Sequence, residues 1–487
     1  MRPRPTSSLL NLKDNIMKKK VVVIGAGITG LFTAYKLSQT GEHEVTVVEK
    51  EEYIGGISST FKHNGYQLDF GPHKIYTQID GVLNEIVKLL GDELIAIPKK
   101  SSIRLMGKFF NYPISIKELI LSLSPITGFK IGLGYIKSVF IRTFAKPADD
   151  TYEQWLINRF GVHLYNIVFR PYAEKIWGEP DKLDAKLAKS RVAIPNLMQL
   201  LRGIILNKNN NPSMNAEKFY YPKNGIISLS STMRIAIESR GGRILTSSSV
   251  DKIQIQQERV KCVEITNKGE KVKLDADFLV STIPINELVN RLSPSVTVDV
   301  QKAADNIGFR SLILLYLVVG KDRILNDNWI FFPEKKYIFN RISEQKGFSS
   351  TMVPEGESVL CTEITCNLND ERWNSSDEEL YKHVLAGIEE AGLVYNHEVK
   401  KFFSRRIVNA YPLYKVGFSE HISRILSYID GIENLITNGR QGMFNYNNMD
   451  HCIEMGRVCA EHIISNRHKS EHWNVESKKF DNFKIVD

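Results

Sequence analysis

The chain has 487 residues, with 64 Lys and Arg against 55 Asp and Glu, a formal net charge of +9. Hydrophobic residues make up 43% and charged residues 24%, the composition of a folded globular protein with room for about three units of roughly 150 residues. That balance excludes a disordered, collagen-like or disulfide-stapled chain.

The charge is unevenly placed. Residues 1–20 hold six basic residues against Asp14, and Lys99 to Lys146 hold nine against Glu118. The second segment raises the question of an anionic partner. Cys262, Cys361, Cys366, Cys452 and Cys459 form no CxxC pair, so no metal site is expected and a reducing compartment is favoured. No run of 18 apolar residues marks a transmembrane helix, and the N-terminal stretch lacks an apolar core of secretory length. A cytoplasmic location is expected by exclusion. Met17 directly precedes KKKVVVIGAG and suits a natural start, so residues 1–17 are expected to form a flexible extension.

The first ordered unit follows. Val21 to Ile24 suits a buried parallel strand. Gly25, Gly27 and Gly30 in GAGITG come next, then Leu31, Ala34 and Leu37 at helical spacing. Val45 to Val48 is a second strand, ending at Glu49. Strand, glycine turn, helix, strand and acid make a dinucleotide-binding unit: the glycines admit a pyrophosphate, the helix N-terminus offers free N–H groups, and the acid accepts ribose hydroxyls. The pair Gly55 and Gly56 beyond the acid shifts the expected cofactor towards FAD.

Residues from about Ile86 to Leu201 are expected to be mainly helical, with Pro125 and Gly128 breaking the pattern between Ile116–Leu123 and Ile131–Phe144. Ile116–Phe144 suits a helix pair with solvated lysines, and a peripheral membrane face is the other reading. From Gly241 to Pro284 strand-like runs return, including Val263–Thr266 and Phe278–Thr282. Leu312–Val319 and Val359–Thr365 are further strands, and Glu378–Ala391 is an amphipathic helix. Asn434 to Ile464 reads as strand, glycine turn and helix, and a polar, partly disordered tail follows.

The expected fold is α/β. A Rossmann-type FAD-binding domain is assembled from 18–84, 220–290 and 430–465. A helical substrate domain, 85–219, is inserted, a β-sheet substrate domain covers 291–429, and the polar tail spans 466–487.

Five further segments are informative: GPHKIYT (Gly71–Thr77), FNYP (Phe110–Pro113), Tyr152–Gly178 with Arg191 beyond it, WIFFPEKKYIFNR (Trp329–Arg341) and GRQGMFNYNNMD (Gly439–Asp450). In kind and order they resemble the UDP-galactopyranose mutase family of flavoproteins, within the wider group of protoporphyrinogen oxidase and amine oxidases. Two positions depart from the mutase pattern: Tyr76, where a second histidine is common, and Asn448, where an acid is common.

The resemblance implies a mutase that interconverts pyranose and furanose forms of a UDP-sugar. Reduced flavin attacks the anomeric carbon through N5 and UDP returns afterwards, with no net redox change. It implies Arg191 and Arg341 as the diphosphate clamp, since planar guanidinium groups match phosphate oxygens. Tyr411 and Tyr446 add phenolic hydrogen bonds, although YPLY also offers Tyr414. His73 either orients the reduced flavin or is a loop histidine satisfied by backbone. Asn111, beside Phe110, contacts substrate or is a turn residue before Pro113. Trp177 stacks on the uracil or fills the helical core. Val250, Gly439, Arg440, Met449 and Asp450 are carried over as FAD contacts, with NAD(P)H as a candidate external reductant.

The alternative is a net FAD-dependent oxidoreductase, an oxidase or desaturase, which Tyr76 and Asn448 favour. No HExxH, GxSxG or P-loop is present. The basic segment lacks the aromatic interleaving of a nucleic-acid groove.

Overall fold

The computed structural model describes residues 18–114, 118, 122–145, 147–191, 217–483 and 485. The extension expected at 1–17 lies outside the described residues, as does most of Ile116–Leu123.

The run Val21–Ile24 forms the buried part of β1 (Lys19–Ile24). This strand has parallel neighbours on both sides, with Val21 opposite Val45 of β2 (His43–Val48) and opposite Phe278 of the strand Phe278–Ser281. Cover on both faces explains why the strand reads as continuous apolar sequence without alternation. The crossover helix α1 (Ile28–Ser38) joins β1 to β2. The completed five-stranded sheet runs Leu435–Thr437, Phe278–Ser281, β1, β2, Arg243–Leu245, all parallel. Its strands come from three distant stretches of chain. The helix Met449–Ser465 packs on α1 at Gly456, where a Cβ would stand 2.9 Å from the Thr29 carbonyl oxygen.

A seven-stranded sheet builds the second body. Its order is Val399–Pro412, Phe309–Val319, Ser358–Cys366, Arg341–Glu344, Trp329–Phe331, Ser101–Leu105, Lys108–Asn111. The last two strands lie in the interval expected to be mainly helical. They are joined by a two-residue turn, Met106 and Gly107, with φ of 51° and 76°. Two successive left-handed residues make the tight hairpin whose twist matches its strands. Strands of five and four residues are too short to show a period, so the Met-Gly turn was the usable signal.

The long helix of the inserted region spans Pro125–Phe144 without interruption. Pro125, expected as a breaker, opens it: in the first turn its missing N–H has no intrahelical acceptor to lose. Ser124 caps the helix, its hydroxyl accepting from the Thr127 N–H at 3.3 Å. Gly128 is simply absorbed.

The tail is packed, in contrast to the disorder expected of it. Trp473–Glu476 is helical and Ser477–Asn482 forms a 3-10 turn. Trp473, Phe480 and Ile485 are buried, and the Phe483 ring stacks on His451 at 4.5 Å. Asp481 reaches Lys186 of the helix Ala185–Arg191 at 3.4 Å. Three apolar anchors within thirteen residues outweigh the polar average on which the expectation rested.

Candidate active site

The loop between β1 and α1 forms a cradle. Gly25 has φ of +99°, and a Cβ there would lie 2.3 Å from Thr282 Oγ1. A Cβ on Gly30 would lie 2.1 Å from the Gly25 carbonyl oxygen, so only glycine lets the helix start this close to the strand. Gly27 differs: a Cβ there would meet nothing within 4 Å. Above it lies open space beside Gly56, whose own Cβ would stand 3.5 Å from Gly27 Cα. Gly55 ties the second glycine pair to the loop, its N–H donating to the Ala26 carbonyl at 2.8 Å. No side chain caps α1 and no acid stands in its first turn, so its N-terminal N–H groups face that space. Glu49 is buried at the end of β2, Oε2 accepting from Ala26 N–H at 2.7 Å and Oε1 from Glu51 N–H at 3.0 Å. Burial pushes its carboxyl pKa up. Glycine-walled space, helix N-terminus and fixed acid fit a dinucleotide pyrophosphate and its ribose.

Beside the cradle is a cavity whose wall includes His73, Trp177, Arg191, Arg341, Tyr411 and Arg440. These residues come from five segments of the chain. Arg341 and Glu363 stand directly opposite on adjacent antiparallel strands, and Arg341 Nε donates to Glu363 Oε1 at 2.6 Å. Burial works against the guanidinium charge, but the Glu363 carboxylate outweighs it and the pKa is raised. With Nε engaged, the two Nη groups remain for another anion. Arg191 ends the helix Ala185–Arg191, its guanidinium 4.4 Å from the Tyr446 ring centre and 5.3 Å from that of Trp177. Arg440 donates to the carbonyls of Asn447 and Ala410 at 2.8 and 3.1 Å. The Nε atoms of Arg191 and Arg440 are buried without a hydrogen-bond partner among the described residues.

Tyr411 lies where these charges meet. Burial and then Glu363 raise its phenol pKa, while Arg341, Arg440 and Arg191 all draw it back. Tyr446, stacked 6.1 Å from Tyr411, is pushed up to about 12, chiefly by burial. Both phenols therefore keep their protons at neutral pH and act as donors.

His73 has a defined tautomer. Its Nδ1 lies 3.0 Å from the Gly71 carbonyl oxygen, which can only accept, so Nδ1 carries the hydrogen and Nε2 keeps its lone pair. Burial, with Arg341 and Arg440 nearby, lowers its pKa from 6.5 to about 4. The folded chain then binds this proton less readily than the unfolded chain. The stability His73 supports is present above about pH 6.5 and is lost as pH falls towards about 4. Asp69, raised by burial from 3.8 to about 6, works in the opposite sense over much of that range. The comparison of wild type with a variant isolates the histidine: His73→Gln should narrow the drop in melting temperature between about pH 7 and pH 4.5. An equal drop in both proteins would count against the assignment.

Phe110 is buried at 3% exposure opposite Ile103, Asn111 is exposed opposite Ser102, and neither lines the cavity. Val250 is buried on the strand Ser248–Gln256, close to where Ser248 N–H donates to the Glu49 carbonyl. Gly439 packs on α1, its Cβ position 3.0 Å from Thr29 Oγ1. Met449 joins the wall, and Asp450 is buried in the first turn of its helix. Tyr76 is absent from the wall, and its hydroxyl accepts from Gln78 Nε2 at 3.2 Å. Asn448 lines the wall as the N-cap of that helix.

Glu363 and Ile485, which lie outside every motif, also line the cavity, as does Lys74 of GPHKIYT. Glu363 left a trace: it is a lone acid in SVLCTEITC, a strand buried at all nine positions. Lys74 stands 5.6 Å over the Trp329 ring. Ile485 brings the packed tail to the cavity wall.

The profile described as flavin containing amine oxidoreductase matches residues 175–461, and that of a NAD(P)-binding Rossmann-like domain matches residues 23–90. The chain is similar to coproporphyrinogen III oxidase of Staphylococcus aureus, 21% identical over 92% of this chain and 100% of that protein. It is 24% identical to a probable UDP-galactopyranose mutase of Klebsiella pneumoniae over 35% of this chain, a match that spans 44% of the relative. A crystal structure of reduced UDP-galactopyranose mutase superposes with a TM-score of 0.82 at 21% identity, covering 96% of this chain and 99% of the other. At that identity the likeness is one of fold. The glycine cradle with its ribose acid, and a family match that takes in the cavity arginines from Arg191 to Arg440, place this chain in the flavin containing amine oxidoreductase family, with a fold like that of UDP-galactopyranose mutase.

Proposed function

We propose that this flavoprotein is an FAD-dependent mutase that interconverts pyranose and furanose forms of a UDP-sugar. One observation carries the reading: Arg191, Arg341 and Arg440 converge on a single cavity in which Glu363 is the only carboxylate in the wall among the described residues. Such a wall suits a substrate with several negative charges, as a nucleoside diphosphate has.

Arg191 and the Nη groups of Arg341 hold the diphosphate and stabilise it as a leaving group. The protonated phenol of Tyr411 donates to the same anion; Tyr446, expected as a second such donor, is buried and absent from the wall and instead stacks on Tyr411. Glu363 fixes the plane of Arg341, so little rotamer freedom is lost on binding. Trp177 and Tyr446 flank Arg191 and keep it extended into the cavity. His73 offers Nε2 as a neutral acceptor in the wall. Held by the glycine cradle and Glu49, FAD would supply the nucleophile for the anomeric carbon once reduced by an external donor of the NAD(P)H type, and the Arg440 charge in the cavity wall would favour negative charge on it.

A net oxidoreductase is the second reading, favoured by the alignment along the whole length of coproporphyrinogen III oxidase. One experiment separates the two: anaerobic incubation with dithionite and a series of UDP-hexopyranoses, followed by chromatography. Furanose product that forms only with reduced flavin supports the mutase. Stoichiometric dioxygen consumption with peroxide release, and no isomerised sugar, would overturn it.

A further inference from the structure

The helix Pro125–Phe144 is apolar on two opposite sides. Its inner side is packed: Ile131 and Ser138 are buried, and Gly134 stands so close to Gly161 that a Cβ on Gly161 would lie 2.6 Å from the Gly134 backbone. Its outer side has no cover among the described residues. Ile126, Phe129, Leu133, Ile136, Phe140 and Phe144 are 69, 67, 52, 65, 64 and 73% exposed. Steps of three and four residues keep all six on one stripe, about 27 Å long at 1.5 Å per residue. Scattered surface leucines need no explanation, but a contiguous stripe that includes three phenylalanines marks a contact surface.

The charges on this helix identify the contact. Lys130, Lys137 and Arg142 are exposed, and the helix carries no acid. None of the three is in an ion pair with a described residue, although many other surface cations of this chain are. Lys130 and Lys137 each follow a stripe residue by one position and so flank its edge. No helix among the described residues is long and apolar enough to cross a bilayer, so this one lies flat.

We propose that the Ile126–Phe144 stripe seats the protein on an anionic lipid surface, its rings and aliphatic side chains among the acyl chains and its cations at the headgroup phosphates. A second copy of the chain is the competing occupant. Face-to-face pairing would bring two sets of cations together with no acid on either helix to neutralise them, whereas anionic headgroups supply that charge. The proposal does not depend on which reaction the flavin site performs.

Flotation of the full flavin-loaded chain with lipid vesicles tests this. Vesicles of phosphatidylcholine with phosphatidylglycerol should bind on the order of 30-fold more tightly than phosphatidylcholine alone, as the two cations that flank the stripe predict, and added salt should reduce the difference. The quadruple variant Phe129→Ser, Leu133→Ser, Ile136→Ser, Phe140→Ser should lose binding to both vesicle types with an unchanged flavin spectrum. Lys130→Glu with Lys137→Glu should lose only the preference for anionic lipid. Failure of the wild-type chain to float with anionic vesicles overturns the proposal. So does a stable dimer in sedimentation that the serine variant abolishes, since the stripe would then belong to a second copy.

Discussion

Arg341→Ala should abolish turnover of a UDP-sugar while the bound flavin keeps its spectrum. Arg341 sits in the cavity wall on the seven-stranded sheet, whereas the glycine cradle and Glu49 belong to the five-stranded parallel unit, so the cofactor should stay. Removing a preorganised charged donor from a developing anion costs about 100-fold or more in kcat. Arg341→Lys should recover only part of this, because an ammonium keeps the charge but not the planar fork. A stability effect accompanies the kinetic one. Glu363 is 1% exposed and would be left as a buried charge without its partner. Breaking such a pair costs about 3 kcal/mol or more. Adding Glu363→Gln to Arg341→Ala should therefore restore much of the melting temperature and none of the turnover. Loss of flavin from the single variant would show that Arg341 holds the cofactor, and retained turnover would remove it from the diphosphate clamp.

Gly27→Ala and Gly30→Ala should fail for different reasons. At Gly27 the added Cβ meets no protein atom within 4 Å, and the residue has an ordinary φ of −72°. The apo chain should melt within about 0.5 kcal/mol of wild type, as expected of a substitution that touches nothing. Its flavin content should nevertheless fall by about tenfold or more, because the methyl group fills the pyrophosphate space. At Gly30 the Cβ would overlap the Gly25 carbonyl oxygen at 2.1 Å and crowd Val23 Cγ1 at 3.2 Å. That variant should lose about 3 kcal/mol of stability even without flavin. The readouts are chemical denaturation of the apo forms and absorbance after reconstitution with FAD. Full flavin occupancy in Gly27→Ala would mean that the open space beside it is not the pyrophosphate site.

The cofactor unit was legible residue by residue because its signals are local. A glycine that must take φ of +99°, one that must admit a helix and an acid that ends a strand are all set by near neighbours in sequence. The arginines were legible only through resemblance, since a surface arginine and a ligand-facing one look alike in a string of letters. Glu363 is not legible, for the converse reason. An acid inside an apolar strand is unusual, but its meaning depends on the strand beside it, and a one-residue slip in register would set Glu363 against a neighbour of Arg341 instead. The hairpin at Met106–Gly107 and the packed tail are not legible, because short strands and isolated apolar anchors carry too little periodicity to outweigh composition.

By itself, the sequence determined the Rossmann unit, its glycine loop and Glu49, because backbone sterics and strand or helix period act over a few residues. Tertiary structure alone decided which arginines share a cavity, since Arg191, Arg341 and Arg440 are brought together by pairing between strands and helices far apart in the chain. It also decided which side of the helix within the basic segment Lys99–Lys146 is covered and which is exposed. The helix Pro125–Phe144 has two apolar sides, and only packing shows that Ile131 faces inward while the phenylalanine stripe is left in water. Burial is a property of the whole fold, and periodicity can propose two faces without choosing between them.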